Sequence, residues 1–396
     1  MTKDLTIAVV GVGARAPIAA HAVAAGAALV AAVDPDPRAA ERAARWFGDL
    51  PVHPDVPALL RAHPDLDAAI VTSPDHTHAA VSEELLAAGV AVYLEKPLAT
   101  TIEDADRVLA AAHASGAKLY VGHNMRHMHV VRLMREIIAR GDIGEVTAIW
   151  CRHFVGHGGD FYFKDWHAER AKTTSLLLQK GAHDIDVIHW LAGGVTREVV
   201  AMGDLTVYGR VDSRRDNSDR TMRDWFSLDN WPPLAQTDLN ESIDVEDLSM
   251  VLMRLDNGVM ASYQQCHYTP DYWRNYTVIG TEGRVENFGD GAGGVVRVWN
   301  KRTGYQADGD ATYPIVGDED GHGDADALTM AEFLRFVRDG DPTDTDPVSA
   351  REAIAAGVAA TRSLRTGSTP QHVPPVAPEV AGYFAAHQPA RPLLDH

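Results

Sequence analysis

LTIAVVGVGARA, Leu5 to Ala16, is the stretch on which the fold turns. An uninterrupted apolar, largely β-branched run reads as a strand buried on both faces. It stops at Gly11-Val12-Gly13-Ala14-Arg15-Ala16, which fits G-x-G-x-x-G/A, and an Ala-rich helical spacing follows at once. Glycines at the turn let the backbone approach a pyrophosphate, and the N-terminus of the following helix attracts it. The next strand, ALVAAVD, closes on Asp34, where a carboxylate accepts from a ribose 2′-hydroxyl and repels a 2′-phosphate. NAD is therefore expected in preference to NADP, with Arg15 and Arg38 as the residues that could still hold a phosphate.

Outward from this motif the alternation continues. LDAAIVTSP, AVYLEKP and KLYVGHN are further short strands, separated by helical spacing over Pro37–Trp46, His78–Ala88 and Ile102–Ser115. Apolar strands alternating with helices predict a parallel sheet covered on both sides. After Asn124 the period changes. A helix over His129–Arg140 and another over Ser175–Leu191 are followed by alternating strands in DLSMVLMRLDNG, VMASYQQCHY, YTVIGTEG, RVENFG and VVRVWN. Such runs predict a large, mostly antiparallel open sheet. The expected fold class is thus α/β, an N-terminal doubly wound Rossmann sheet plus a C-terminal α/β domain. The division predicted is residues 1–123 for the Rossmann domain and 124–372 for a substrate-binding and oligomerisation domain. The latter carries a long polar insertion at about 210–241, and a Pro-rich tail occupies 373–396.

The totals agree. A chain of 396 residues exceeds one typical compact core. A formal charge of −19 argues against nucleic acid or an anionic membrane surface as partner. Two cysteines, Cys151 and Cys266, cannot build a disulfide framework, and no apolar run approaches a bilayer span. With MTKDLTIAVVGVG running straight into a strand, a cytoplasmic location is expected. No spacing among Cys151, His153, Cys266 and His267 matches a zinc motif, so no metal is expected.

The motifs GVGARA, AAVDPDP, TSPDHTHA (Thr72–Ala79), EKPLA, GHNMRH (Gly122–His127), GDIGEV, KGAHDIDVIHWLAGG and IGTEGRVE occur in this order over most of the chain. In that ordered set the chain resembles the glucose–fructose oxidoreductase / inositol dehydrogenase / MocA family of nicotinamide-dependent sugar and cyclitol enzymes. The resemblance implies that the cofactor is lined by Gly11, Gly13, Ala14, Arg15, Ala16, Asp34, Thr72, Ser73, Pro74, His76, His78, Glu95, Lys96 and Asn124. It also implies that Lys96 lies beside the reacting carbon, with His183 across the substrate. Homo-oligomers through the C-terminal sheet are usual in such proteins.

Oxidising a ring hydroxyl removes a hydride from carbon and a proton from oxygen, so a proton acceptor must lie within hydrogen-bond reach. Lys96 suits this role as an ammonium that stabilises an alkoxide or as an amine that takes the proton. Adjacent strand residues face opposite ways, which makes a simple Glu95–Lys96 pairing awkward. The family's polyol dehydrogenases often carry Asp four residues before the histidine; here stands Gln179, which can orient a hydroxyl but not accept a proton. Asp184 and Asp186 are expected to cap and charge the helix start; the resemblance to the family's polyol dehydrogenases makes Asp186 a substrate candidate as well. Carbohydrate-binding side chains crowd CRHFVGHGGDFYFKDWHAER, Cys151 to Arg170; His153, Tyr162, Trp166 and His167 are the candidates from it, joined by Arg126. YTPDYWRNY, Tyr268–Tyr276, fits strand packing and substrate contact equally. Two activities stay open: NAD-dependent oxidation or reduction of a sugar, sugar derivative or cyclitol, and hydrolysis of a glycoside. The second works through transient oxidation at C3, elimination, water addition and re-reduction on tightly bound NAD, and needs no pair of catalytic carboxylates.

Overall fold

The computed structural model describes residues 4–317 and 324–389, so residues 1–3 and the end of the Pro-rich tail, 390–396, lie outside the described residues. The chain forms two compact units. One gathers Met1–Asn124, Asp326–Arg351 and Val376–His396, and the other Met125–Ala325 and Glu352–Pro375. The units are discontinuous, unlike the three consecutive stretches read from the sequence. The reason lies in a late helix: the apolar side of Ala325–Asp339 places Met330, Phe333, Leu334 and Phe336 in the first core, with Phe333 against Tyr93 and Tyr120.

The first unit is built on six parallel strands: β1 (Thr6–Val10), β2 (Ala28–Val33), β3 (Val52–His53), β4 (Ala68–Val71), β5 (Ala91–Leu94) and β6 (Leu119–Val121), in the order β3-β2-β1-β4-β5-β6. The central strands are buried on both faces, as continuous apolar runs require; Ile7, Val9 and all of β4 have no exposed surface, while the edge strand β3 is half-buried. Strand order reverses between β1 and β4. Doubly wound sheets bind ligands outside the carboxyl ends at such a point, and the glycine loop, Thr72 and Glu95 all follow directly on strand ends there.

In the second unit nine strands form one sheet: β7 (Val146–Val155), β8 (Thr196–Asp204), β11 (Leu248–Leu255), β12 (Met260–Cys266), β13 (Tyr272–Gly280), β14 (Arg284–Phe288), β15 (Val295–Trp299), β16 (Ala311–Pro314) and β17 (Gln371–His372). The order is β16-β15-β14-β13-β7-β12-β11-β8-β17, with β7 and β12 the parallel pair in an otherwise antiparallel sheet. The strand numbers β9 (Arg214–Arg215) and β10 (Leu239–Asn240) belong to a small two-stranded sheet inside the insertion. Alternation divides the large sheet into two faces. A helix, α1 (Gly181–Ala192), buries His153 and Tyr263 beneath it on the inner face. The outer face presents Trp150, Met202, Met250, Leu252 and Met260, each more than half exposed. No helix among the described residues is long and apolar enough to cross a membrane.

Candidate active site

The cofactor end of the first unit is held by short contacts between strand ends. Gly11 has φ +91°, and a Cβ there would lie 2.4 Å from the Ser73 backbone nitrogen, so only glycine fits. Beside it, a Cβ at Gly13 would meet nothing within 4 Å; the loop leaves open space where a pyrophosphate would lie. Thr72 donates to the Gly11 carbonyl at 2.7 Å, tying the loop after β4 to the loop after β1. Asp34 accepts from the Val12 amide at 2.8 Å and the Asp36 amide at 2.9 Å. The nearby cations are engaged by acids. Arg38 and Arg42 both bond Asp36, at 3.0 and 2.8 Å, and Arg38 above all holds that carboxyl well below the usual carboxylate range. Arg15 bonds Glu95 at 2.7 Å and Asp326 at 2.6 and 2.8 Å. The two arginines weighed as phosphate holders therefore sit in ion pairs, which sharpens the expectation of NAD over NADP.

Asn124 donates to Asp326 at 2.6 Å, while its buried Oδ1 has no hydrogen-bond partner within the protein. An acceptor held open in this way, with the space at Gly13, fits a bound dinucleotide. Ser73 meets Thr77 hydroxyl to hydroxyl at 2.6 Å, and His76 is exposed. His78 is buried and spans two turns, its ring nitrogens 2.7 Å from the Pro97 carbonyl and 2.8 Å from that of Ser73. Its place is between the Ser73-Pro74 turn and the Lys96-Pro97 turn, which are joined through it. Lys96 follows β5 at the carboxyl edge of the sheet, in a cis peptide with Pro97, and its backbone amide lies 3.3 Å from the Glu95 carboxylate. Asp326, from the far end of the chain, completes the Arg15–Glu95 cluster and carried no local signal in the sequence.

The second unit holds its polar groups under α1. Asp184 is fully buried, accepts from three donors, His153 Nδ1 at 2.8 Å, Tyr263 at 2.9 Å and Tyr276 at 2.6 Å, and forms an ion pair with Arg274, whose Nε lies 3.2 Å away. It was expected to cap the helix start; it is instead the hub of the inner face, because the first turn of α1 lies against the sheet. Burial pushes its carboxyl up, but His153 and Arg274 outweigh that and hold it well down. Burial, then Arg274, lowers the His153 imidazole to about 3, so the ring is neutral. With Nδ1 donating to Asp184, Nε2 carries the lone pair, and it has no partner within the protein. Asp186 and Arg126, both substrate candidates, bond each other in a two-point pair at 2.7 and 2.6 Å, both buried. His183 is buried in the first turn of α1, and Gln179 is buried at the end of a separate short helix, Leu176–Gln179, that precedes it, where the sequence pattern predicts one continuous helix.

Tyr162 lies edge-on to His167, whose ring stacks on Trp166 with centroids 3.7 Å apart. The insertion packs over this segment. Trp225 donates to the Asp160 carbonyl at 2.8 Å, Asn230 to the Asp160 carboxylate at 2.8 Å, and Phe226 stacks on Phe161. Period two divides Tyr268–Tyr276: Tyr276 and Arg274 enter the buried network while Trp273 stacks on Phe154. That alternation was the signal available for residues the sequence reading left undecided.

Comparison with known proteins gives two matches to family descriptions. Residues 5–123 match "Oxidoreductase family, NAD-binding Rossmann fold", and residues 131–286 match the "GFO/IDH/MocA C-terminal domain". The protein YteT of Bacillus subtilis (strain 168), described as an oxidoreductase, is 26% identical over 332 residues, 74% of this chain and 76% of that protein. Inositol 2-dehydrogenase of Ralstonia nicotianae is 33% identical over 179 residues, covering 42% of this chain and 48% of that enzyme. Among solved structures, levoglucosan dehydrogenase in complex with NADH and levoglucosan has a TM-score of 0.75 at 19% identity, over 94% of this chain and 100% of the other. The myo-inositol 2-dehydrogenase of Lactobacillus plantarum has 0.72 at 19%, over the same shares, a likeness of fold.

Proposed function

Because the chain belongs to the GFO/IDH/MocA oxidoreductase family, with an NAD-binding Rossmann domain at its N-terminus, we propose that it oxidises a ring hydroxyl, or reduces the ketone, of a sugar, sugar derivative or cyclitol. The observation that carries the reading is the cofactor end of the first unit. Its glycine turn admits a pyrophosphate, and its acids occupy the cations that would otherwise hold a 2′-phosphate. The names of the relatives, sugar and cyclitol dehydrogenases among them, support the substrate class.

Bound NAD supplies the two-electron acceptor; Gly11, Gly13, Thr72, Asp34 and Asn124 would hold it. The chain's own task is the proton. Lys96 stabilises the alkoxide that forms as the hydroxyl is deprotonated, or takes the proton as a free amine. His183 is the second proton-handling group, and Gln179, which has no acidic form, orients a hydroxyl. The neutral His153 offers an acceptor at Nε2 for another hydroxyl. On the outer face of the sheet, Trp150, Met202, Met250, Leu252 and Met260 form the apolar surface on which a second copy would pack.

The test is NADH formation from free sugars and cyclitols, run beside phenol release from p-nitrophenyl glycosides. Accumulation of NADH with a free sugar or cyclitol is the expected result. Phenol release without net NADH would replace oxidation by the hydrolytic cycle, on which the named relatives bear no specific mark. Lys96→Ala should lower kcat/KM by about a thousandfold or more; retention of most activity would remove Lys96 from the mechanism.

A further inference from the structure

Lys180 lies at the N-terminal edge of α1 and is 6% exposed. Its ammonium donates to the Tyr272 hydroxyl at 3.0 Å and lies over the rings of Tyr162 and Tyr272, 5.7 and 5.5 Å from their centroids. Among the described residues no carboxylate forms an ion pair with it. The two acids of the neighbourhood, Asp184 and Asp290, both pair with Arg274, at 3.2 and 3.4 Å. Phenols satisfy N–H donors but leave the charge without a counter-ion, and a buried charge is normally paired.

The surroundings have the character of a ligand site rather than of a closed core. His153 Nε2 and both ring nitrogens of His267 are buried with no hydrogen-bond partner. His267 packs edge-on to Tyr162, and His153 edge-on to Tyr272, so these free polar atoms border the residues that hold Lys180. The Lys180–Tyr272 hydrogen bond is only part-buried. Outside it the wall is aromatic: His157 stacks on Tyr272, interplanar angle 10°, and meets Phe226 of the insertion edge-on. Flat rings beside hydrogen-bonding groups suit the apolar face and the hydroxyls of a pyranose.

We infer that Lys180 receives a carboxylate carried by the substrate, so that the sugar oxidised or reduced is an acidic one of the uronate class, lying against His157 and Tyr272. This rests on the sugar-dehydrogenase reading above. A carboxylate matches the site better than a phosphate, because one unpaired ammonium balances one charge and not two. The paired phenols then act as further donors. Burial pushes the Tyr272 phenol up, but Arg274 and Lys180, both within reach of its hydroxyl, bring it down to about 8.

The experiment compares pairs that differ only at C6, glucose with glucuronate and galactose with galacturonate, in NAD-dependent turnover by the intact protein and by Lys180→Met and Lys180→Arg. The acidic member should be favoured in kcat/KM by about a hundredfold. Lys180→Met should collapse that ratio and Lys180→Arg retain part of it. A neutral member favoured in every pair, or a ratio unmoved by Lys180→Met, overturns the inference. If no sugar is turned over, the dehydrogenase reading fails by itself, and thermal melting of the NADH-saturated protein decides the carboxylate site. Stabilisation by a uronate and not its neutral partner, absent in Lys180→Met, upholds the site. Equal melting with and without every uronate overturns it, and wild-type measurements suffice should the methionine variant fail to fold.

Discussion

The cofactor loop and the inner face of the nine-stranded sheet are both polar sites, yet they are assembled differently. In the first, Gly11 to Ala16 and Asp34 come from consecutive elements, and apart from Asp326 the contacts join neighbouring strand ends. In the second, one carboxylate gathers hydrogen bonds from positions 153, 263 and 276 and an ion pair from position 274, on three strands. A site of the first kind is a property of a short segment; one of the second kind is a property of the folded sheet. Damage should therefore stay local in the first unit, altering what binds, and spread in the second, altering whether the unit holds.

The largest effect should come from acid. His153 is held at about 3 in the fold, against about 6.5 in an unfolded chain, so the unfolded state binds the extra proton between those values. Its contribution is complete above pH 6.5 and lost as pH falls toward 3, up to about 5 kcal/mol. Melting followed across that window should show the loss, and His153→Gln, whose amide can still donate to Asp184, should flatten the slope. An unchanged slope would detach His153 from the stability of the network.

Next comes Asp184→Ala. Removing the hub leaves Arg274 buried with Asp290 as its remaining acid and takes the carboxylate from the Tyr276 hydroxyl, while Tyr263 keeps Gln265, at a cost of about 3–5 kcal/mol in denaturant unfolding. A loss under about 1 kcal/mol would show that the face does not act as one body. Gly11→Ala should test the opposite case. Its Cβ would strike the Ser73 backbone, so NAD affinity should fall about tenfold to a hundredfold by calorimetric titration, with the second unit's melting unmoved. Smallest is Asp34→Gly, which should shift the NADP to NAD preference by about tenfold as Arg42 loses one of its acids. No shift would mean that the acid does not select the cofactor.

Legibility in the sequence follows the same division. The parallel sheet, the glycine loop, Asp34 and the change of period after Asn124 all rest on local patterns, and each could be read. The hub could not. Asp184 sits in a helix start, where an acid has an ordinary capping role, and nothing local says that three strands will bring it three hydrogen-bond donors and an arginine. Asp326 is similar, reaching Arg15 across 311 residues and Asn124 across 202. Arg274 and Tyr276 were half-visible, since their alternation marked one face but not what that face would meet.

The two acids of α1 carry one more consequence. Asp184 is anchored to the sheet, and Asp186 is gripped by Arg126. Residues two apart on a helix point about 200° from each other, so the anchors bear on opposite flanks. A rod clamped on both flanks cannot roll. His183 comes immediately before the first clamp, and any roll of α1 that swung its ring by an ångström would have to break one ion pair or the other. The orientation of its ring is thus fixed by the protein itself, and the helix behaves less like a support than like a sight locked to its mount.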